Sequence, residues 1–395
     1  MLIFSKATMK IIIKQENGPL LLYLGLFGYC SLYPELIGNM YRRQTFFKIS
    51  RKTENYFKTY GLEPQMKQFL DLIFTQYRNT IGEQTLGYIS LLYQHPQREK
   101  SVKRFIKNEK QQVFLSYQKI KNKELKALAS FHSSLLKTEF FDWLEKLTTL
   151  DIERKSTKIP KIKRIINKDL TFFGIKKPII QKIIITPLNL YPFQAASLVY
   201  ILDKEIIIVS SEKFHPEVIE HEFLHLLMNP LAKRFLQKFP KMANLIVSLS
   251  SLTRKETYGE NPLYLLQEEL IYSYLNFKKR KPLNYKNFLK SLPFKNEKQF
   301  QEARKNNPLF RRKCERLKIN SFKKFLTKSS VFYQIFLKNP LNEILYQFYK
   351  SFEKEKTANP GLDFNHYLLN NLSDAIKIKY NNFSSRTITA PSVSS

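Results

Sequence analysis

Apolar positions in this chain recur in two rhythms. From Lys52 to about Leu150 they return every three or four residues, the repeat of helices buried along one face. Met66, Phe69, Leu70, Ile73 and Tyr77 share one such face, and Val113 to Tyr117 opens another segment of the same kind. One or two more helices are predicted between Leu125 and Leu150, around Phe140-Phe141-Asp142-Trp143-Leu144. Ahead of them, the run Ile11-Ile12-Ile13 predicts a short strand, and Pro19 to Leu32 is apolar on every side. The latter reads as a buried helix, since a membrane span needs roughly 20 residues. A secretory signal fits poorly, because Gln15-Glu16-Asn17 interrupts the basic region and no small-x-small cleavage site follows. Tyr29 before Cys30 likewise spoils a lipoprotein signal.

The rhythm changes after Leu150. Residues 151–170 are basic and punctuated by Pro160, which suggests a linker or a charged edge strand. Ile179 to Thr186 is a β-branched run typical of a strand. Ala196 to Leu202 and Glu205 to Ser210 flank Asp203-Lys204, a spacing that predicts a tight hairpin. A helix should then start at Pro216, with Glu217 and Glu220 near its positive end and His215 at its entry. Pro230 should kink or end it. From Asn284 to about Leu372 the pattern is helical and very basic, with an apolar face at Leu341, Ile344, Leu345 and Phe348. Residues 381–395 have the composition of a disordered tail. The expected fold class is α+β and mostly helical. The expected parts are a helical region 1–150, the linker or strand 151–170, a core 171–282, a basic helical region 283–380 and the tail.

Composition narrows the class. The 395 residues, 43% hydrophobic and 25% charged, belong to a globular chain long enough for two or three cores, and only 10 glycines suit a helical one. Lys and Arg number 66 against 33 acids, a formal charge of +33. That surplus attracts nucleic acid, anionic lipid or an acidic partner. It is also what coding drift in an AT-rich genome leaves behind, and no nucleic-acid reading motif accompanies it. Cys30 and Cys314 lie far apart and form neither a disulfide framework nor a metal cluster. Without a convincing signal peptide or membrane span, the expected compartment is the cytoplasm, with export the alternative.

The chemistry sits in the helix that starts at Pro216, where His221-Glu222-Phe223-Leu224-His225 is a His-Glu-x-x-His motif. Residues four apart stand one above the other on a helix, so both imidazoles can reach one Zn2+ ion. Glu222, about 100° round the helix, is placed to act as general base on water rather than as a ligand. The competing reading is a buried helix with two hydrogen-bonded core histidines. His95, His132 and His366 read as surface or satisfied histidines.

A catalytic zinc usually takes three protein ligands. Met228 and Leu231 stand where the His-x-x-Gly-x-x-His continuation of the metzincins would need Gly and His, which excludes that subclass. Two adjacent acids, Glu268 and Glu269, interrupt the apolar helical stretch from Asn261 to Leu275. One should face the metal and the other solvent. The oxyanion-stabilising group is open among Tyr264, Tyr272, Tyr274, His366 and several later tyrosines.

With these residues the chain resembles the gluzincin metallopeptidases. His221-Glu222-Phe223-Leu224-His225 followed by Asn229-Pro230 is similar to an uncharacterised bacterial domain family that carries His-Glu-Phe-Ser-His, three residues and Asn-Pro. Glu268-x-Leu270-Ile271 is similar to that family's Glu-His-Leu-Val, and this match implies Glu268 as third ligand. The resemblance implies a zincin-like core, in which a small mixed sheet packs on the active-site helix, and a peptide or protein substrate. Many gluzincins place an acid four residues after the ligand glutamate, whereas Tyr272 stands there in this chain. The alternative function is a basic protein that binds nucleic acid or an acidic partner on an inactive zincin-like scaffold.

Overall fold

The computed structural model describes residues 9–37, 48–77, 80–81, 83–107, 111–175, 180–186, 197–202, 204–210, 215–282 and 285–387. They form two compact units, one of residues 1–168 and 176–220, the other of residues 169–175 and 221–395.

The first unit opens with β1 (Lys10–Ile13), α1 (Asn17–Leu32), α2 (Pro34–Ile37), α3 (Lys48–Tyr60), α4 (Pro64–Leu72) and α5 (Glu83–Ser90). It continues with α6 (Glu99–Lys107), α7 (Gln111–Leu135), α8 (Glu139–Ser156) and most of α9 (Ile159–Phe172). Three further strands follow: β2 (Lys182–Thr186), β3 (Ser197–Leu202) and β4 (Glu205–Ser210).

A helix that is apolar all round must be covered all round. Every residue of α1 from Gly18 to Cys30 is accordingly buried. Gly28 permits this, because a Cβ there would lie 2.8 Å from the Phe57 ring of α3. The hydroxyl of Tyr23 in α1 meets that of Tyr200 in β3, tying the helix to the sheet.

The sheet has the order β1-β2-β4-β3. β1 pairs with β2 in parallel, Lys10 opposite Lys182, and β2 with β4 in parallel, Lys182 opposite Glu205. β3 and β4 form the expected antiparallel hairpin, Leu202 opposite Glu205. Central parallel strands covered on both faces need continuous apolar runs, and Ile183–Ile185 and Ile206–Ile208 supply them.

The basic stretch 151–170 is helical, and neither a linker nor an edge strand. Pro160 falls in the first turn of α9, where its missing N–H costs nothing. Ile162, Ile166 and Leu170, at four-residue spacing, are buried. At the end of α8, the buried Lys155 pairs with Asp151 at 2.6 Å and donates to Ser210 Oγ at 2.8 Å.

The second unit takes in α10 (Pro216–Lys238) from His221 on, α11 (Met242–Leu249), α12 (Leu252–Tyr258) and α13 (Pro262–Lys278). Then come α14 (Tyr285–Ser291), α15 (Glu297–Asn306), α16 (Pro308–Arg316), α17 (Phe322–Phe332), α18 (Pro340–Ala358) and α19 (Phe364–Thr387). Its larger core joins Leu224, Met228 and Phe235 of α10 to Leu266, Leu270 and Tyr274 of α13 and to Leu345 and Tyr349 of α18. The end of α9 belongs to this unit: Phe172 and Phe173 pack into the core. Buried Asp169 accepts from Tyr274 Oη at 2.8 Å and from Lys278 Nζ at 2.5 Å. A smaller core of Phe294, Phe300, Cys314, Phe325, Phe332 and Phe336 lies among α14–α17. It is fastened to α12 by Lys313 Nζ donating to Thr253 Oγ1 at 2.8 Å and by Thr253 Oγ1 donating to Phe336 O at 2.6 Å.

Pro230 does not end α10, which continues to Lys238. Apolar residues on both sides of it, Leu224 and Met228 before and Ala232 and Phe235 after, are sunk in the same core and hold the helix together. Nor is residue 381 the start of a tail: α19 runs on to Thr387, and residues 388–395 lie outside the described residues. No helix among the described residues is long and apolar enough to cross a membrane.

Candidate metal centre

Two helices of the second unit bring the donors together. α10 carries His221 and His225 one turn apart. α13 is started by Asn261, whose side chain accepts from Leu263 N at 2.9 Å and Tyr264 N at 3.3 Å, with Pro262 in the first turn. Its Glu268 meets the two imidazoles. His221 Nε2 and His225 Nε2 stand 3.2 Å apart. Glu268 Oε1 is 3.4 Å from His225 Nε2, and Oε2 is 3.8 Å from His221 Nε2. Among the described residues this is the one group of three or more His, Cys, Asp or Glu side chains placed to share a metal ion.

These spacings fit a tetrahedral ion. Zinc–ligand bonds of about 2.0–2.2 Å put neighbouring ligand atoms roughly 3.3–3.6 Å apart, close to the 3.2 Å between the two imidazole nitrogens and the 3.4 Å from His225 Nε2 to Glu268 Oε1. With Nδ1 of His225 donating to Asn229 Oδ1 at 3.2 Å, its Nε2 keeps a lone pair for the ion. Burial, with His225 and Arg254 nearby, pushes the His221 imidazole down to about 4. It is therefore neutral near pH 7, the form that binds a metal. Burial raises the Glu268 carboxyl, against the opposing pull of His225 and Arg254. Glu222, next to His221 on α10, is half-buried.

Glu269 does not face solvent. It is fully buried, and its carboxylate is met by Arg254 Nε at 2.8 Å, Asn339 Nδ2 at 2.7 Å and Asn342 Nδ2 at 3.1 Å. One turn on, Ser273 Oγ accepts from Asn342 Nδ2 at 2.7 Å. The pair therefore divides its work: Glu268 faces the histidines, and Glu269 locks α13 to α12 and to the start of α18.

The position four residues after Glu268 holds Tyr272. Its ring lies 5.2 Å from that of His221, centroid to centroid, and Arg254 stacks on it at 3.8 Å. Tyr258 Oη donates to Glu268 Oε2 at 3.3 Å, and burial raises its pKa further than the neighbouring Glu268 does. Of the other candidates for stabilising an oxyanion, Tyr264, one turn before Glu268 on α13, is 55% exposed, Tyr274 is bonded to Asp169, and His366 to Asn370. His95 is bonded to Glu16 and His132 to Tyr93, so both are satisfied. His215 O accepts from Val218 N at the entry to α10.

Arg254, Tyr258, Asn339 and Asn342 escape sequence reasoning. Asn339-Pro340 does announce a helix start, but nothing in the sequence says which carboxylate that asparagine will hold. No family model matches the chain, and no curated protein or solved structure matches it significantly.

Proposed function

We propose that this chain is a zinc-dependent peptidase of the gluzincin type. The observation that carries this reading is the convergence of His221 Nε2 and His225 Nε2, 3.2 Å apart, on the Glu268 carboxylate, whose Oε1 is 3.4 Å from His225 Nε2 and whose Oε2 is 3.8 Å from His221 Nε2. Three lone-pair donors crowded into a part-buried site repel one another unless a cation or proton lies between them. A zinc ion bound there supplies Lewis acidity, which polarises the scissile carbonyl and lowers the pKa of water.

Around that ion the residues have separate tasks. His221, His225 and Glu268 hold it. Asn229 fixes the tautomer of His225. Tyr258, through its hydrogen bond to Glu268, orients the carboxylate. Glu222 accepts the proton of the attacking water and returns it to the departing amine. Tyr272 and Tyr258 are the hydroxyl-bearing side chains beside the donors and stand as the candidates for stabilising the oxyanion. The alternative, an inactive scaffold with a vestigial or structural zinc site, would account for the three donors but would leave Glu222 without a task.

The test measures bound zinc and peptide hydrolysis in the wild type, Glu222→Gln and His225→Ala. Glu222→Gln should keep its zinc and lose activity by about 10²–10⁴-fold, the usual contribution of a general base. His225→Ala should lose both. Equal hydrolysis by the wild type and Glu222→Gln would reject the mechanism, and a wild type that binds no zinc would reject the site.

A further inference from the structure

We propose that helices α14–α17 form a docking surface for an anionic lipid membrane. Between Tyr285 and Lys338 there are fifteen lysines and arginines against three acids, five to one, where the whole chain has 66 to 33. The surplus is thus denser here than over the whole chain. Few of these cations are neutralised. Lys298, Lys305, Lys318, Lys323 and Lys324 are exposed.

Hydrogen bonds hold the segment that carries Lys318, Lys323 and Lys324 against α15. Glu297 of α15 caps the entry to α17 by accepting from Phe322 N at 2.7 Å. Gln301 and Arg304 of α15 donate to Asn320 O, at 2.8 and 3.2 Å. The connection bearing Lys318 is thereby held against α15, next to the turn that carries Lys323 and Lys324.

Along α17 and the wider helical turn that follows it (Tyr333–Leu337), this basic end gives way to exposed aliphatic side chains. Val331 is 49% exposed and Ile335, four residues on, 43%. Lysines beside outward-facing aliphatics are the two signals that hold a helix at a membrane surface: attraction to anionic headgroups and shallow insertion of apolar groups. Nucleic acid would use the charge but leave the aliphatics idle. It would also profit from exposed rings on which to stack bases. Every Phe and Tyr of this region is at least half-buried among the described residues, most of them within the small phenylalanine core.

The test uses the full-length chain in co-sedimentation with vesicles of phosphatidylcholine, with and without phosphatidylserine. Single- and double-stranded DNA oligonucleotides are titrated in parallel. Binding should require phosphatidylserine and weaken with salt. Replacing Lys318, Lys323 and Lys324 together by Gln should weaken it on the order of a hundredfold, from the attraction of three lysines near a charged surface, while Arg at the same positions should preserve it. Val331→Ser with Ile335→Ser, both at exposed sites, should weaken it about tenfold with an unchanged circular dichroism spectrum. Equal binding to neutral vesicles would overturn the proposal, as would indifference to the two serine changes. Tighter binding to the oligonucleotides than to the vesicles would also overturn it and assign the surface to nucleic acid.

Discussion

At the scale of single residues, Glu124 departs furthest from what solvent would allow. It lies in α7 with no exposure, and neither carboxylate oxygen has a hydrogen-bond partner among the described residues. Burial raises its pKa well above the ordinary carboxylate range, which for an unfolded chain is about 4.3. Folding therefore takes up a proton between those two values. The contribution is fully present below the unfolded pKa and is lost as pH rises through the folded one. Glu124→Met should remove this loss: thermal unfolding in mildly alkaline buffer should show a gain of roughly 1–3 kcal/mol, shrinking in acid. An equal gain at both would mean that Glu124 does not titrate on folding. The candidate site shows how far single residues can be read from sequence. His221, Glu222 and His225 are legible because one helix fixes their spacing. Glu268 and Glu269 are not separable that way. Their difference comes from Arg254, Asn339 and Asn342, which only the tertiary fold brings to Glu269.

At the scale of elements, the same dipeptide is used in three ways, one of them at Asn359-Pro360, where the asparagine ends α18. Asn-Pro begins α13 at Asn261, α16 at Asn307 and α18 at Asn339, with each asparagine side chain capping the helix and proline in the first turn. At Asn229-Pro230 it lies inside α10, and the Asn229 side chain turns to His225 instead. Local propensity predicts an ending there, yet the buried residues on either side override it. Pro230 itself is exposed, so Ala at this position restores a backbone hydrogen bond at no loss of packing. Pro230→Ala should stabilise the protein by roughly 2–3 kcal/mol in chemical denaturation without reducing bound zinc. A loss of stability would mean that the proline is needed for the path of α10. The strands and hairpin were legible because β-branched runs between turn residues have few other uses. α9 was not, because a proline in a first turn and a proline in a linker look alike until Ile162 and Ile166 are seen to be buried.

At the scale of the whole molecule, charge and connectivity set the terms. A formal charge of +33 makes the folded chain repel itself. Raising salt from about 0.01 M to about 0.15 M shortens the screening length from roughly 30 to 8 Å. The melting temperature should therefore rise by a few degrees in scanning calorimetry. A fall would mean that pairs such as Arg98–Glu205 and Arg280–Glu353 outweigh the repulsion. Connectivity matters because β1 pairs with β2, and Tyr23 meets Tyr200, across most of the first unit's length. On the ribosome, α1 therefore emerges long before the strand and the tyrosine that cover it. At about 5–20 residues per second, the intervening chain takes roughly ten to thirty seconds to make. Through that interval a helix that is buried on every side in the folded unit has no partner sheet, which makes the nascent chain a natural client for chaperones that shelter hydrophobic segments during translation.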